Sequence, residues 1–386
     1  MASSGSPIAP GHALRAIQLL SLATLILSAG FITSALLLAA KASAAATPAA
    51  AAKSAYIDYS AAGSLQIDST LVEWTDTARS RTLPLRIVMP RPGGAADTRL
   101  PVIMFSHGLG GSREAGRAWG DHWASHGYLV IHLQHPGSDS AIWQGAENKL
   151  AVMRGVRGAM TPEQFIARIA DVKFVLDELE RRGRSGDPIA RRADLSRVGM
   201  SGHSYGAVTT QAIAGERFGR GEAGRQIADK RVRASIAFSP SGGRDQSGDA
   251  DSQRFADIHR PFLSLTGSND TAIVSSETAQ SRQIPFERMP GPDKYLLVLD
   301  GADHMTFSGQ RELRDLRVRR QKKGDSAPGS AADNDATSMY PPILAASLAF
   351  WNAYLKNDSD ARRYLDSDDF ERHLVRADIW KSKQAQ

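Results

Sequence analysis

The chain has no cysteine. That excludes disulfides, thiolate metal sites and a cysteine nucleophile. Aromatic residues are scarce, at 7% of 386 residues, and none interrupts the one dense basic run, "RELRDLRVRRQKK" (residues 311–323). No nucleic-acid motif accompanies that run, so it reads as a solvated loop and no nucleic-acid partner is expected. The net charge of +6 is modest and spread along the chain. No repeat with a period of about 20–50 residues occurs. No Pro/Ser-rich linker divides the middle of the chain, so residues 55–386 are expected to form a single domain. The short acidic runs at 245–252 and 366–369 lack the glycine and distal glutamate of a calcium loop. Neither a metal nor a cofactor is expected.

Long apolar runs are also missing, with one exception. Residues 16–40 carry no charge, follow Arg15 and precede Lys41. The small-residue site Ala42–Ser43–Ala44 comes next, so the stretch reads as a cleaved secretory signal. It is also long enough to span a bilayer, and an uncleaved anchor giving membrane association is the second reading. Either reading puts the rest of the chain outside the cytoplasm. The Ala-rich remainder to residue 54 reads as a tether.

From residue 55 onward, short apolar runs alternate with longer amphipathic segments. Residues 64–74 and 81–90 are β-rich and suit an antiparallel start to a sheet. Runs at 100–111, 127–137, 231–243, 260–270 and 294–304 are solidly apolar, then break into Gly, Ser, Asn, Asp or His, as buried parallel strands do. Between them, residues 161–182 have Thr161 to cap a helix, Pro162 at its first position and Gln164 to complete a capping box. Phe165, Ile169, Val172, Leu176 and Leu179 give that helix one buried face. A second amphipathic helix spans 341–356, its aromatic residues expected in the core. The alternation predicts an α/β fold: a mostly parallel sheet covered on both faces. Chemistry in such sheets sits at the carboxyl ends of the strands.

One of those ends reads "RVGMSGHSYGAVTT" (residues 197–210). Gly202-His203-Ser204-Tyr205-Gly206 fits G-x-S-x-G, in which two glycines permit a sharp strand-to-helix turn that exposes a serine Oγ. The bare pentapeptide also suits a plain turn, but the flanks suit a strand and a helix. A serine nucleophile needs a base, and the base needs an orienting acid. Three histidines follow Ser204: His259, His304 and His373. Only His304 ends a strand. Asp270 ends the strand before it and is the chosen acid; Asp245, Asp300 and Asp303 are the other candidates. An oxyanion hole is expected from the N–H groups of Tyr205 and of Leu109, in the glycine-rich turn His107-Gly108-Leu109-Gly110-Gly111. His107 is either a group in contact with the substrate or a brace for that loop. Trp143, in "HPGSDSAIWQG" (residues 135–145), is expected to line the cleft with its neighbours, by stacking on substrate or by packing the loop.

Together, "VIMFSHGLGGSREA", "ASHGYLVIHLQHPGSDS", "GHSYGA", "ADVKFVLDEL", "GADHMTF" and "SLAFWNAYLK" resemble the α/β-hydrolase fold. Within it they are similar to platelet-activating-factor acetylhydrolase-like esterases and to bacterial proteins labelled dienelactone-hydrolase-like. The resemblance covers roughly residues 64–356. It implies ester hydrolysis through an acyl-enzyme, without metal or cofactor. Two departures bear on the site. Animal-type acetylhydrolases place their acid where this chain has Ser239, which favours Asp270, as in bacterial cutinase-type polyester hydrolases. Dienelactone hydrolases proper use a cysteine, which this chain lacks.

The expected function is an extracytoplasmic serine hydrolase acting on a small-molecule ester or lipid through Ser204, His304 and Asp270. A lipase or phospholipase working at lipid surfaces is the alternative within hydrolases. A non-catalytic binding module that keeps the fold is the alternative outside them.

Overall fold

A computed structural model describes residues 57–92, 99–144, 147–218, 225–243, 253–272, 275–310, 339–375 and 377–384. The runs 16–40 and 311–323, and Asp245, lie outside these residues. In chain order the elements are β1 (Ile67–Asp76), β2 (Arg81–Pro90), β3 (Leu100–Ser106), α1 (Arg117–Ser125), β4 (Leu129–Leu133), α2 (Lys149–Ala159), α3 (Pro162–Arg184), β5 (Ala193–His203) and α4 (Tyr205–Ala214). The short ribbon β6 (Arg217–Phe218) and β7 (Arg225–Gln226) follows, then β8 (Val232–Phe238), β9 (Phe262–Asn269), α5 (Ile284–Arg288), β10 (Lys294–Asp303), α6 (Tyr340–Leu355), α7 (Ser359–Asp366) and β11 (Ile379–Lys383).

The main sheet has the order β1-β2-β4-β3-β5-β8-β9-β10-β11. The six strands from β4 to β10 are parallel, while β1, β2 and β11 are antiparallel to their neighbours. This is the α/β-hydrolase architecture expected from the sequence. β11 was not expected; "IWKSK" is a short edge strand with two lysines, which blunts further pairing.

β3 shows why these runs fold as central strands. All seven of its residues are buried. Ile103 and Phe105 face one core with Trp119 and Trp123 of α1 and Trp351 of α6. Val102 and Met104 face the other, with Ile169, Val172 and Leu176 of α3. The tryptophans pack in preferred geometries: Trp119 stacks on Phe238 at 5.8 Å and Trp123 meets Trp351 edge-on at 5.8 Å. The α6 aromatics are therefore core residues, as expected. Thr161 caps α3, accepting from the Gln164 N–H at 3.3 Å. The return half of the capping box is not seen; the Gln164 side chain instead lies over the Cα of Gly137, where a Cβ would sit 2.6 Å from its oxygen. Among the described residues no helix is long and apolar enough to cross a membrane.

Candidate active site

Because β3, β4, β5, β8, β9 and β10 run parallel, the loops that follow them converge on one edge of the sheet. The glycine turn 107–111 leaves β3, Ser204 leaves β5, Asp270 leaves β9 and His304 leaves β10.

Ser204 has φ 57° and ψ −114°, in a region L-residues rarely adopt. Its N–H donates to the carbonyl of Phe238 at 2.9 Å, and its own carbonyl accepts from Ala207 and Val208 of α4. The glycines on each side are fixed by close backbone approach. A Cβ on Gly202 would lie 2.8 Å from the carbonyl oxygen of Ser106, and a Cβ on Gly206 would overlap that same oxygen. Gly206→Ala is therefore expected to destabilise the fold by about 3 kcal/mol or more, read as a lowered thermal midpoint, because neither side of the contact is a flexible side chain. A midpoint like that of the parent protein would contradict the close approach.

His304 Nε2 is 2.9 Å from Ser204 Oγ, and His304 Nδ1 is 2.7 Å from Asp270 Oδ1. The turn that presents His304 is set by Asp303, which accepts from the Thr306 N–H at 2.8 Å and completes a capping box with it. Asp303 thus caps the turn, and Asp300 accepts from Ser268 Oγ at 2.9 Å. His373 packs against the rings of Tyr364 and Phe370.

Asp270 is fully buried. Its second oxygen accepts from Thr266 Oγ1 at 2.9 Å. Burial works to raise its pKa. The bond from His304 and the Arg282 charge outweigh that cost, so it stays below the usual carboxylate range. Arg282 was not singled out in the sequence. Its Nε donates to the Asp270 backbone carbonyl at 2.9 Å and lies 2.8 Å from Asp270 Oδ1 as an ion pair, and Nη1 donates to the carbonyls of Ser239 and Pro240 at 2.9 and 3.0 Å. Ser239, at the alternative acid position, has φ 56° and is buried beside this group.

His203 was also passed over. Its Nε2–H donates to the His304 carbonyl at 2.9 Å, tying the base's backbone to the nucleophile turn. Burial, then the neighbouring His304, lowers its pKa to about 3, so it is a neutral brace.

The chain Ser204–His304–Asp270 opens on a cavity of about 450 Å³. Leu109, Trp143, Met160, Val208 and Met305 supply its apolar walls; Ser241, Glu277 and Arg282 supply polar ones. A larger cavity, of about 530 Å³, lies beside α1 and is lined by Trp119, Tyr340 and Leu344. It contains none of the three chain members. Tyr205 is the first residue of α4, so its N–H is one of the free donors at a helix N-terminus.

One alternative is decided here and one expectation changes. His107 is fully buried and does not line the cavity. Its ring is engaged at both nitrogens, with the Gly108 carbonyl at 2.6 Å and the His135 N–H at 3.0 Å, so it braces the loop and cannot contact substrate. Of the described residues in 135–145, Trp143 alone faces the cleft, its indole N–H donating to the Gly110 carbonyl at 2.9 Å. His135, Ser138 and Asp139 turn inward, where their polar atoms are satisfied by Asp171, Arg168 and Gln134 respectively.

Among the described residues, no group of three or more His, Cys, Asp or Glu side chains is arranged to hold a metal ion.

The family model of platelet-activating factor acetylhydrolase, isoform II, matches residues 90–159. The chain resembles the platelet-activating factor acetylhydrolases. The matched stretch carries β3, the glycine turn, α1, β4 and α2, hence Leu109, His107 and Trp143; Ser204, Asp270 and His304 lie beyond it. The match supports a lipase- or esterase-type hydrolase. No curated protein matches the chain.

Proposed function

We propose that this protein hydrolyses carboxylic esters through an acyl-enzyme on Ser204. The reading rests on one observation above the others: the unbroken path Ser204 Oγ, His304 Nε2, His304 Nδ1, Asp270 Oδ1 at 2.9 and 2.7 Å, at the wall of an open cavity. His304 Nε2 takes the Ser204 proton as Oγ attacks the ester carbonyl. Asp270 accepts the Nδ1–H bond, fixing the tautomer and stabilising the imidazolium. The N–H groups of Tyr205 and Leu109 receive the oxyanion. The imidazolium returns its proton to the departing alkoxide, which leaves as the alcohol. A water then gives its proton to His304 and attacks the acyl group, and the acid is released as Ser204 is reprotonated. No step needs a metal or cofactor.

The reading extends to location. The uncharged run 16–40 between Arg15 and Lys41 supports action outside the cytoplasm, after cleavage or on a retained anchor. Residues 55–386 then form the catalytic domain, in keeping with the compact unit Asp58–Gln386.

A lipid-surface substrate is the second reading, favoured by exposed apolar side chains, some of them at the cleft. Leu150, Met153, Met160, Ile166, Trp143 and Met305 are all exposed, three of them lining the cavity itself. Hydrolysis of p-nitrophenyl esters from acetate to palmitate separates the two. The soluble-esterase reading expects the highest kcat/KM on short acyl chains, with no jump when substrate aggregates. A peak at long chains, rising above the critical micelle concentration, would assign the lipid-surface reading instead. No hydrolysis of any ester would overturn both.

A further inference from the structure

Behind the glycine turn lies a second set of buried polar side chains, and at its centre is Arg168 of α3. A fully buried guanidinium is tolerated only where its N–H groups find acceptors. Here Nε donates to Thr209 Oγ1 at 3.1 Å, Nη1 to Ser138 Oγ at 2.8 Å, and Nη2 to Ser106 Oγ at 2.8 Å and to the His107 carbonyl. The guanidinium carbon sits 4.6 Å from the centre of the Tyr205 ring, in cation–π contact. One side chain thus joins the loops after β3 and β4 to the first turn of α4.

Asp171 is one helical turn further along α3, is fully buried, and pairs with Arg79 at 2.9 Å and Arg81 at 2.7 Å. Asp171 also accepts from His135 Nδ1 at 3.0 Å, and His135 Nε2 lies 3.0 Å from Ser106 Oγ. The order Ser106–His135–Asp171 imitates a nucleophile, base and acid. All three are fully buried and Ser106 is held by Arg168, so the set is structural.

The consequence reaches the cleft through His107. Its Nε2 accepts from the His135 N–H, so the ring proton is on Nδ1, and Nδ1–H donates to the Gly108 carbonyl. That carbonyl also accepts from the Gly111 N–H at 3.0 Å. In a trans peptide the N–H points opposite to the C=O. Pinning the Gly108 carbonyl against His107 therefore turns the Leu109 N–H away from His107. The arrangement requires a neutral ring. Burial, then the Arg168 charge, holds the His107 pKa well below its usual value.

We propose that Arg168 is the positioning residue of the oxyanion hole: through His107 on one side and the Tyr205 ring on the other, it fixes the two backbone N–H groups that receive developing charge. The catalytic consequence rests on the esterase reading above; the geometric one does not. Arg168 touches no substrate and lines no part of the cleft.

The test uses the full chain with Arg168→Met, which keeps an unbranched stem and removes the charged group, and Arg168→Lys, which keeps charge and loses the planar fork. Hydrogen exchange by mass spectrometry is read first, because it does not depend on activity. Amides at 107–111 and 205–209 are expected to exchange roughly tenfold faster in both variants, with the central strands unchanged. Kinetics are read second. kcat for p-nitrophenyl acetate is expected to fall roughly 10²-fold with KM changed by less than about threefold, since the lost interaction forms only in the transition state. Affinity for a boronic acid, whose tetrahedral adduct places an anionic oxygen in the hole, is expected to fall in the same proportion. Unchanged exchange in both segments would overturn the proposal, as would a loss confined to KM. If Arg168→Met fails to fold, Arg168→Lys carries both readouts. If the parent hydrolyses no ester, the esterase reading fails, and exchange alone decides whether Arg168 sets these amides.

Discussion

Ser204→Ala is expected to lower kcat for a soluble p-nitrophenyl ester by roughly 10⁶-fold, and His304→Ala by about as much. The double variant is expected to be no worse than either single one. Proton transfer and attack are one event along the Ser204–His304–Asp270 path, so removing either end of the 2.9 Å bond removes the whole step. Asp270→Asn is expected to cost less, about 10⁴-fold. The asparagine amide still fills the buried site beside Thr266 and Arg282, but it no longer holds the His304 tautomer by accepting from Nδ1. Steady-state kinetics on folded variants check all three. Losses that multiply in the double variant would mean that Ser204 and His304 act independently, against the mechanism drawn here.

Acid is expected to unfold this protein well before its carboxylates titrate. Among the described residues five histidines are buried: His107, His122, His132, His135 and His203. Burial is the largest cause of the lowered pKa in each, to about 4 for His122, His132 and His135, about 3 for His203, and well below the usual value for His107. In the unfolded chain each would titrate near 6.5. Between about pH 6.5 and 4 the unfolded state therefore binds protons that the folded state refuses, so stability falls as pH falls. Each histidine contributes up to about 1.4 kcal/mol per pH unit in that window. Asp270 acts in the opposite sense but elsewhere. Its folded pKa is depressed, so its contribution is intact above about pH 4 and is lost only as pH falls further. The thermal midpoint is expected to be nearly flat above pH 7 and to drop steeply from pH 6.5 to 5. A flat midpoint across pH 5–7 would show that these rings are protonated in the folded state.

Much of this site was legible before the fold was seen, and for local reasons. A glycine-bounded serine after an apolar run has few geometric solutions, and Gly206 against the Ser106 carbonyl shows why. His304 and Asp270 could be chosen because a parallel sheet brings strand ends together, so a position at the end of an apolar run already says where a side chain goes. Asp303, another candidate acid, adjoins the base and caps the turn instead. What stayed hidden is long-range. Arg168 contacts residues 30, 41, 61 and 62 positions away, and Arg282 reaches Ser239 across 43. Such contacts leave no period or spacing in the sequence. The two readings of His107 stayed open for the same reason: its partner at Nε2 is the backbone N–H of His135, which no local pattern marks. β11 was missed because an exposed edge strand carries no apolar alternation to read.

The most direct test of the central claim is to incubate the protein with a fluorophosphonate and locate the adduct by peptide mass spectrometry. One phosphonyl group per chain is expected, on the peptide that contains Ser204, with no labelling of His304→Ala on the same time scale. Ester turnover with Ser204 unmodified, or with the adduct on another serine, would contradict that claim.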